Sequence, residues 1–242
     1  MKRIIHTLLL TLVAAAVLAQ QDRQVQNRPY TDLRAFHFGI LVGTHLQDVE
    51  LHNVGTVSMT DENGYATEQT ITCDQDRWDP GFTVGVLGEA RINEHLAFRI
   101  APQLYFGARH FTFHNISTGE EKRQDLKSIY IATDMNLIFA AKRSNNHRPY
   151  LMVGVNPMIN LSGKDEDYLR LKRYDCMLEV GLGCDSYLPF FKLRPELKFC
   201  YSIANALDMN HVSKIKDPAM RSYASCVDKA QSKLIALTFY FE

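Results

Sequence analysis

The chain alternates. Phe36, Phe38, Ile40 and Val42 fall on one parity, and His37, Gly39, Leu41 and Gly43 on the other. A period of two is the signature of a strand. The rhythm returns at Phe82-Val84-Val86, and at Ile129, Ile131, Met135, Leu137 and Phe139 against Tyr130, Ala132, Asp134 and Asn136. It returns again at Leu151-Val153-Val155 and at Ile235-Leu237-Phe239-Phe241. The sharpest case is Phe191, Leu193, Leu197, Phe199 and Tyr201 facing one way, with Lys192, Arg194, Glu196 and Lys198 facing the other. The pattern predicts strands over residues 35–44, 81–91, 96–110, 127–139, 150–161, 174–186, 191–202 and 232–241.

The intervening segments alternate in length. Short turns fall near Asn93, Asn145 and Pro189. Long polar segments run over 47–80, with room for its own small hairpin, then 112–124, 162–173 and 204–230. One hairpin unit is used twice. Phe98-Arg99-Ile100-Ala101-Pro102-Gln103-Leu104-Tyr105-Phe106 matches Phe191-Lys192-Leu193-Arg194-Pro195-Glu196-Leu197-Lys198-Phe199 in pattern. Pro102, Pro157 and Pro195 lie inside strand patterns, where each removes a ladder donor; a bulge or kink at matching depth is expected.

The N-terminus changes how the alternation is read. Met1-Lys2-Arg3 precedes an apolar run from Ile4 to Leu18 and a small-residue end, with cleavage expected between Ala19 and Gln20. This is the form of a secretory signal peptide over 1–19. A polar leader follows over 20–34. No later segment is apolar for long enough to be a membrane helix, but a strand barrel needs none. Eight strands joined by short turns at one end and long loops at the other predict an all-β chain. The expected architecture is an eight-stranded antiparallel up-and-down transmembrane β-barrel over 35–242, multi-pass in the cell outer membrane. A soluble sandwich has the same alternation but no reason for that loop asymmetry.

If the apolar rows face lipid, the other rows line the lumen. The expected lumen charge network is Glu89, Arg91, Arg99, Asp134, Glu179, Asp185, Lys192, Arg194, Glu196 and Lys198. Gln103, Tyr105, Arg109, Asn136 and Asn156 share those faces. An eight-stranded barrel is only wide enough for its own side chains, so these charges must pair and the lumen should be closed.

Composition narrows the chemistry. Formal net charge is zero, which gives no support for nucleic acid. The five cysteines include no C-x-x-C pair, so no zinc site is indicated; Cys73 and Cys226, both in expected loops, are a candidate disulfide. His45 and His52 are spaced closely enough to raise a metal site, and Asp165-Glu166-Asp167 a weak calcium site. Solvated loop residues explain both. Asn115-Ile116-Ser117 matches a glycosylation triplet by chance. No nucleophile elbow, zinc helix or phosphate loop is present, so no catalytic residue, metal, cofactor or small-molecule substrate is expected. From the residues alone, a general barrel with an adhesive or structural role stays open. So does a rim enzyme using His110, Asp134 or Asp185.

Three stretches carry a resemblance. Arg148-Pro149-Tyr150-Leu151-Met152-Val153-Gly154, then Tyr187-Leu188-Pro189-Phe190-Phe191-Lys192-Leu193-Arg194-Pro195-Glu196-Leu197, and the ending Leu237-Thr238-Phe239-Tyr240-Phe241-Glu242 resemble the PorT/SprT family. That ending also matches Glu242 following the final aromatic. The resemblance implies an integral outer-membrane protein needed for the type IX secretion system, with other secretion components and outer-membrane lipid as partners. It also implies a link to gliding motility in some members, and brings no enzymatic residues.

Overall fold

The computed structural model describes residues 25–60, 66–162 and 167–242. The expected signal peptide, with Ala19 and Gln20, lies outside the described residues, as do Asp165 and Glu166. Ten strands run β1 (Phe36–Asn53), β2 (Gly55–Thr60), β3 (Ala66–Asp74), β4 (Asp79–Arg91) and β5 (Leu96–Asn115), then β6 (Glu120–Ala140), β7 (His147–Asn160), β8 (Tyr174–Tyr187), β9 (Lys192–Ser202) and β10 (Val227–Phe241). Eight of them close a ring in the order β1-β4-β5-β6-β7-β8-β9-β10, with β10 returning to β1 and every pair antiparallel. The β2–β3 hairpin lies outside the ring and extends it by pairing β3 with the end of β5, from Ile71 opposite Asn115 to Asp74 opposite Thr112. It fulfils the expectation of a hairpin within 47–80.

The lipid-facing rows are as the alternation requires. Phe36, Phe38, Ile40 and Val42 of β1, Phe82, Val84 and Val86 of β4, and Leu151 and Val153 of β7 are all exposed on the outside, Phe38 at 74% and Leu151 at 63%. Their neighbours of opposite parity are buried inside. An exposed apolar belt around a ring with a polar interior fits a barrel in lipid and would be a liability in water.

The strands are longer than the belt. β1 continues to Asn53, β5 to Asn115, and β6 begins at Glu120. The expected long loop over 112–124 is therefore wall, with only residues 116–119 as its turn and Gly119 at φ +73°. Above the belt the parity of the greasy row inverts. On β5, Phe98, Ile100, Leu104 and Phe106 have the outward parity, whereas Phe111 and Phe113 point inward and are fully buried. Leu126 on β6 and Val49 on β1 do the same. These side chains form an apolar cap with Leu169, Leu171, Leu207 and Tyr223, the first two supplied by the segment joining β7 to β8 and the last two by the segment joining β9 to β10. The β9–β10 connection carries two short helices, Met209–Val212 and Pro218–Ala224, the second capped by the Asp217 side chain on Ala219 N.

Two expectations are corrected. The prolines make no bulge. Opposite Pro102, Pro157 and Pro195 the ladders lapse for a short stretch and resume in the same register, as in Ala132 opposite Met158 and then Met135 opposite Val155. Each missing N–H is thus absorbed locally by a gap. Cys73 and Cys226 are free thiols. Asn53 donates its side-chain amide to Cys73 O at 3.1 Å and accepts from Cys73 N at 2.7 Å, while Val54 N donates to Cys226 O at 2.8 Å. The end of β1 is thus hydrogen-bonded to both cysteine backbones, and the two thiols pack unbridged in the apolar cap. Burial in the cap pushes the Cys226 thiol up to about 12.

Glycines mark where strands approach closely. A Cβ on Gly154 would lie 2.0 Å from Asn136 Oδ1 and 2.2 Å from Met135 O. Since the second of these is backbone, Gly154→Leu should destabilise the barrel by about 1–3 kcal/mol. The expected readout is a lower temperature for the folded-to-unfolded band shift on unheated gels.

Candidate functional site

The lumen is built by strand parity. Alternate residues of β4, β5, β6, β8 and β9 must point inward once their neighbours face lipid. This places Glu89, Arg99, Asp134, Glu179, Asp185, Lys192, Arg194, Glu196 and Lys198 inside, all buried. They form two groups at different heights.

The lower group lies at the end with the short turns. Arg194 Nη1 contacts Glu89 Oε2 at 2.7 Å and Glu242 Oε1 at 2.6 Å, and its Nε lies 2.6 Å from Asp185 Oδ1. Lys192 meets Glu242 at 2.6 Å and Asp185 at 3.9 Å. Arg99 joins Glu89 at 3.2 Å to Glu196 at 2.6 Å. Tyr150 and Tyr240 donate their hydroxyls to Glu196 at 2.8 and 2.9 Å. Their rings also face guanidiniums: Arg194 lies 5.0 Å from the Tyr150 centroid and Arg99 4.4 Å from that of Tyr240. The upper group is Lys198 between Asp134 and Glu179, with Asn156 Nδ2 donating to Glu179 at 3.0 Å. Above it, Arg109 donates to Gln47 Oε1 at 3.0 Å and to Ser232 at 3.1 Å. The apolar cap closes that end.

The Arg99–Glu196 pair joins the two copies of the repeated hairpin unit across the lumen. Arg99 is the second residue of its copy and Glu196 the sixth of the other, so the contact joins inward positions of β5 and β9 that do not correspond in the repeat.

Arg91 is the exception in the expected network. It sits at the end of β4, half-buried, and donates to Asp32 O at 2.8 Å, outside the lumen group. It is the last residue of β4, paired with Ala97, and so lies at the mouth below the lumen charges. Sequence reasoning also missed Glu242 and His37, which contact each other at 3.2 Å. Their inward parity, shared with Tyr240 and Leu41, was the available signal. His45 is buried in the lumen, whereas His52 is exposed and bonded to Asp228 at 2.7 Å, so the two make no metal site. Among the described residues no cluster of His, Cys, Asp and Glu could hold a metal ion. His110 is held by both oxygens of Asp79, at 2.9 and 2.8 Å, on the outer wall, while Asp134 and Asp185 lie in the lumen. The three rim candidates are not brought together.

The second assembly lies under the lower mouth. The leader folds back beneath the ring, where a short 3-10 turn over Thr31–Leu33 carries Asp32. Tyr187 donates its hydroxyl to Asp32, and Arg148 and Arg143 approach that carboxylate at 3.6 and 3.8 Å. Asn27 is bonded by Asn146 and Arg143, and Arg28 donates to Glu242 O at 2.9 Å. Arg143 also stacks 3.6 Å from the Tyr187 centroid. None of these leader contacts is visible in a period or a motif.

A closed ring with an apolar belt and a charged, filled interior defines an outer-membrane barrel. The family model for the outer membrane protein beta-barrel domain matches residues 18–208, and the chain belongs to that family. It resides in the outer membrane, with the short turns on the periplasmic side. No curated protein matches it. Among solved structures, it is similar to the outer membrane protein OprG from Pseudomonas aeruginosa at 10% identity, covering 84% of this chain and 92% of that one with TM-score 0.42. It is similar to Neisserial surface protein A at 11% identity, covering 86% and 98% with TM-score 0.43. It is also similar to the attachment invasion locus protein Ail of Yersinia pestis, solved with the heparin analogue sucrose octasulfate, at 12% identity, covering 86% and 99% with TM-score 0.39. At these values the likenesses carry no functional argument.

Two outcomes follow from the lumen. Arg194→Met removes the cation shared by Glu89, Asp185 and Glu242, leaves these three buried carboxylates only Arg99 and Lys192, and should cost about 3–5 kcal/mol. Adding Asp185→Leu should recover part of that loss in a double-mutant cycle read by denaturant unfolding. In planar bilayers the intact protein should show no large, steady openings, because charged side chains and the apolar cap fill the lumen.

Proposed function

We propose that this barrel is a component required for export by the type IX secretion system, acting through protein contacts rather than as the conduit. The observation that carries this reading is where the family-like residues fall. Arg148, Tyr187, Lys192, Arg194, Glu196 and Glu242 belong to the three stretches that resemble the PorT/SprT family, and all lie at or just inside the periplasmic mouth. They clamp the leader and lock the lower lumen. A sealed lumen leaves cargo to pass elsewhere, so the barrel works through its surfaces.

A strain lacking the gene should fail to export many proteins that carry the C-terminal sorting signal, as read by mass spectrometry of culture medium. Re-expression of the intact barrel should restore export. An unchanged secretome in the deletion strain overturns the reading and leaves an adhesive or structural role as its successor.

A further inference from the structure

Between the leader and the turns of β4–β5 and β6–β7 is an open cleft of about 530 Å³. That lies within the usual range for a ligand site. Its charged lining is Arg91, Lys142, Arg143 and Arg148 against Asp32 and Glu94. Its apolar lining includes Pro29, Tyr30 and Leu33, with Tyr30 and Leu33 largely exposed although they sit beside a built wall.

The bases here are positioned but only partly neutralised. Arg91 donates to the carbonyl of Asp32, and Arg148 to the carbonyls of Ala141 and Glu94. Arg143 donates to those of Asn27, Arg28 and Asn145. A carbonyl fixes a guanidinium in place without cancelling its charge. The carboxylate of Asp32 is shared among Arg143, Arg148 and the Tyr187 hydroxyl. Four cationic groups therefore face two carboxylates in a cleft that already holds its shape. A positive concave site with aromatic and aliphatic walls suits a chain carrying carboxylates and apolar side chains together.

We propose that this cleft docks an acidic, extended peptide segment of a periplasmic partner. The inference rests on the proposed role in secretion and names the chemistry of one contact. A peptide fits better than a lipid headgroup because the leader itself forms one wall. That wall lies beneath the ring, not on its lipid-facing belt.

The test uses the full chain in nanodiscs of neutral phosphatidylcholine. The probe is a fluorescein-labelled peptide alternating glutamate and leucine, with a lysine–leucine peptide of equal length as control. The acidic peptide should bind, the basic one should not, and raising salt from about 50 to 200 mM should weaken binding. Lys142→Glu, on an exposed turn outside the leader contacts, should lower affinity about tenfold while leaving the folded gel band unchanged. Equal binding of both peptides, or no effect of Lys142→Glu, overturns the proposal. So does displacement of the peptide by soluble glycerol phosphate at concentrations where free glutamate has no effect, since the cleft would then belong to the headgroups. If the deletion strain loses export but no acidic peptide binds, the secretion role stands and only the docking site fails.

Discussion

The structure depends on burying charge in a space too narrow to hydrate it. Moving a carboxylate or a guanidinium out of water costs several kcal/mol unless partners replace the lost hydration. An eight-stranded ring offers no channel of bulk water to supply it. Arg194 answers this by meeting three carboxylates at once, from β4, β8 and the end of the chain. Arg99 answers it by spanning from Glu89 to Glu196 while Tyr240 covers its face. Such an arrangement tolerates few changes, because removing one charge leaves others unpaired. It also ties strands that are distant in the ring, so the lumen acts as a keystone for the wall.

The lipid zone was legible in the sequence because one physical rule governs it. Lipid on one side and a polar lumen on the other force a strict parity, and eight runs obey it. The zone above the membrane was not legible, although its strands are as regular. There the outside is water and the inside is the apolar cap, so the greasy parity inverts. On β5 the inversion falls between Phe106, which faces out, and Phe111, which faces in. A reader following the outward row sees it stop and infers a loop. The same switch hides the upper parts of β1 and β6. The lapse at each proline was misread for a related reason. A missing donor suggests a bulge, but a gap of two positions in one register costs less than shifting a strand whose parity lipid has already fixed.

The lower assembly was illegible on different grounds. Asn27, Asp32, Asn146 and Tyr187 come together through single hydrogen bonds between segments far apart in sequence. No periodicity records such contacts. What the sequence did hold was the grouping of Arg148, Tyr187 and Glu242 within recognisable stretches. The structure gives that grouping a physical sense, since all three end at one mouth.

A filled barrel has only its ends and its lipid-facing wall with which to act. The upper end is covered by the apolar cap and two short helices, which makes it a stopper held by packing. The lower end is held by polar contacts, with cations fixed in place by carbonyls. Packing of that kind favours one rigid state, whereas charges left partly unneutralised at a shaped surface favour an exchangeable partner. On the proposed reading, in which the barrel acts through protein contacts, the asymmetry between the two ends assigns those contacts to the periplasmic mouth.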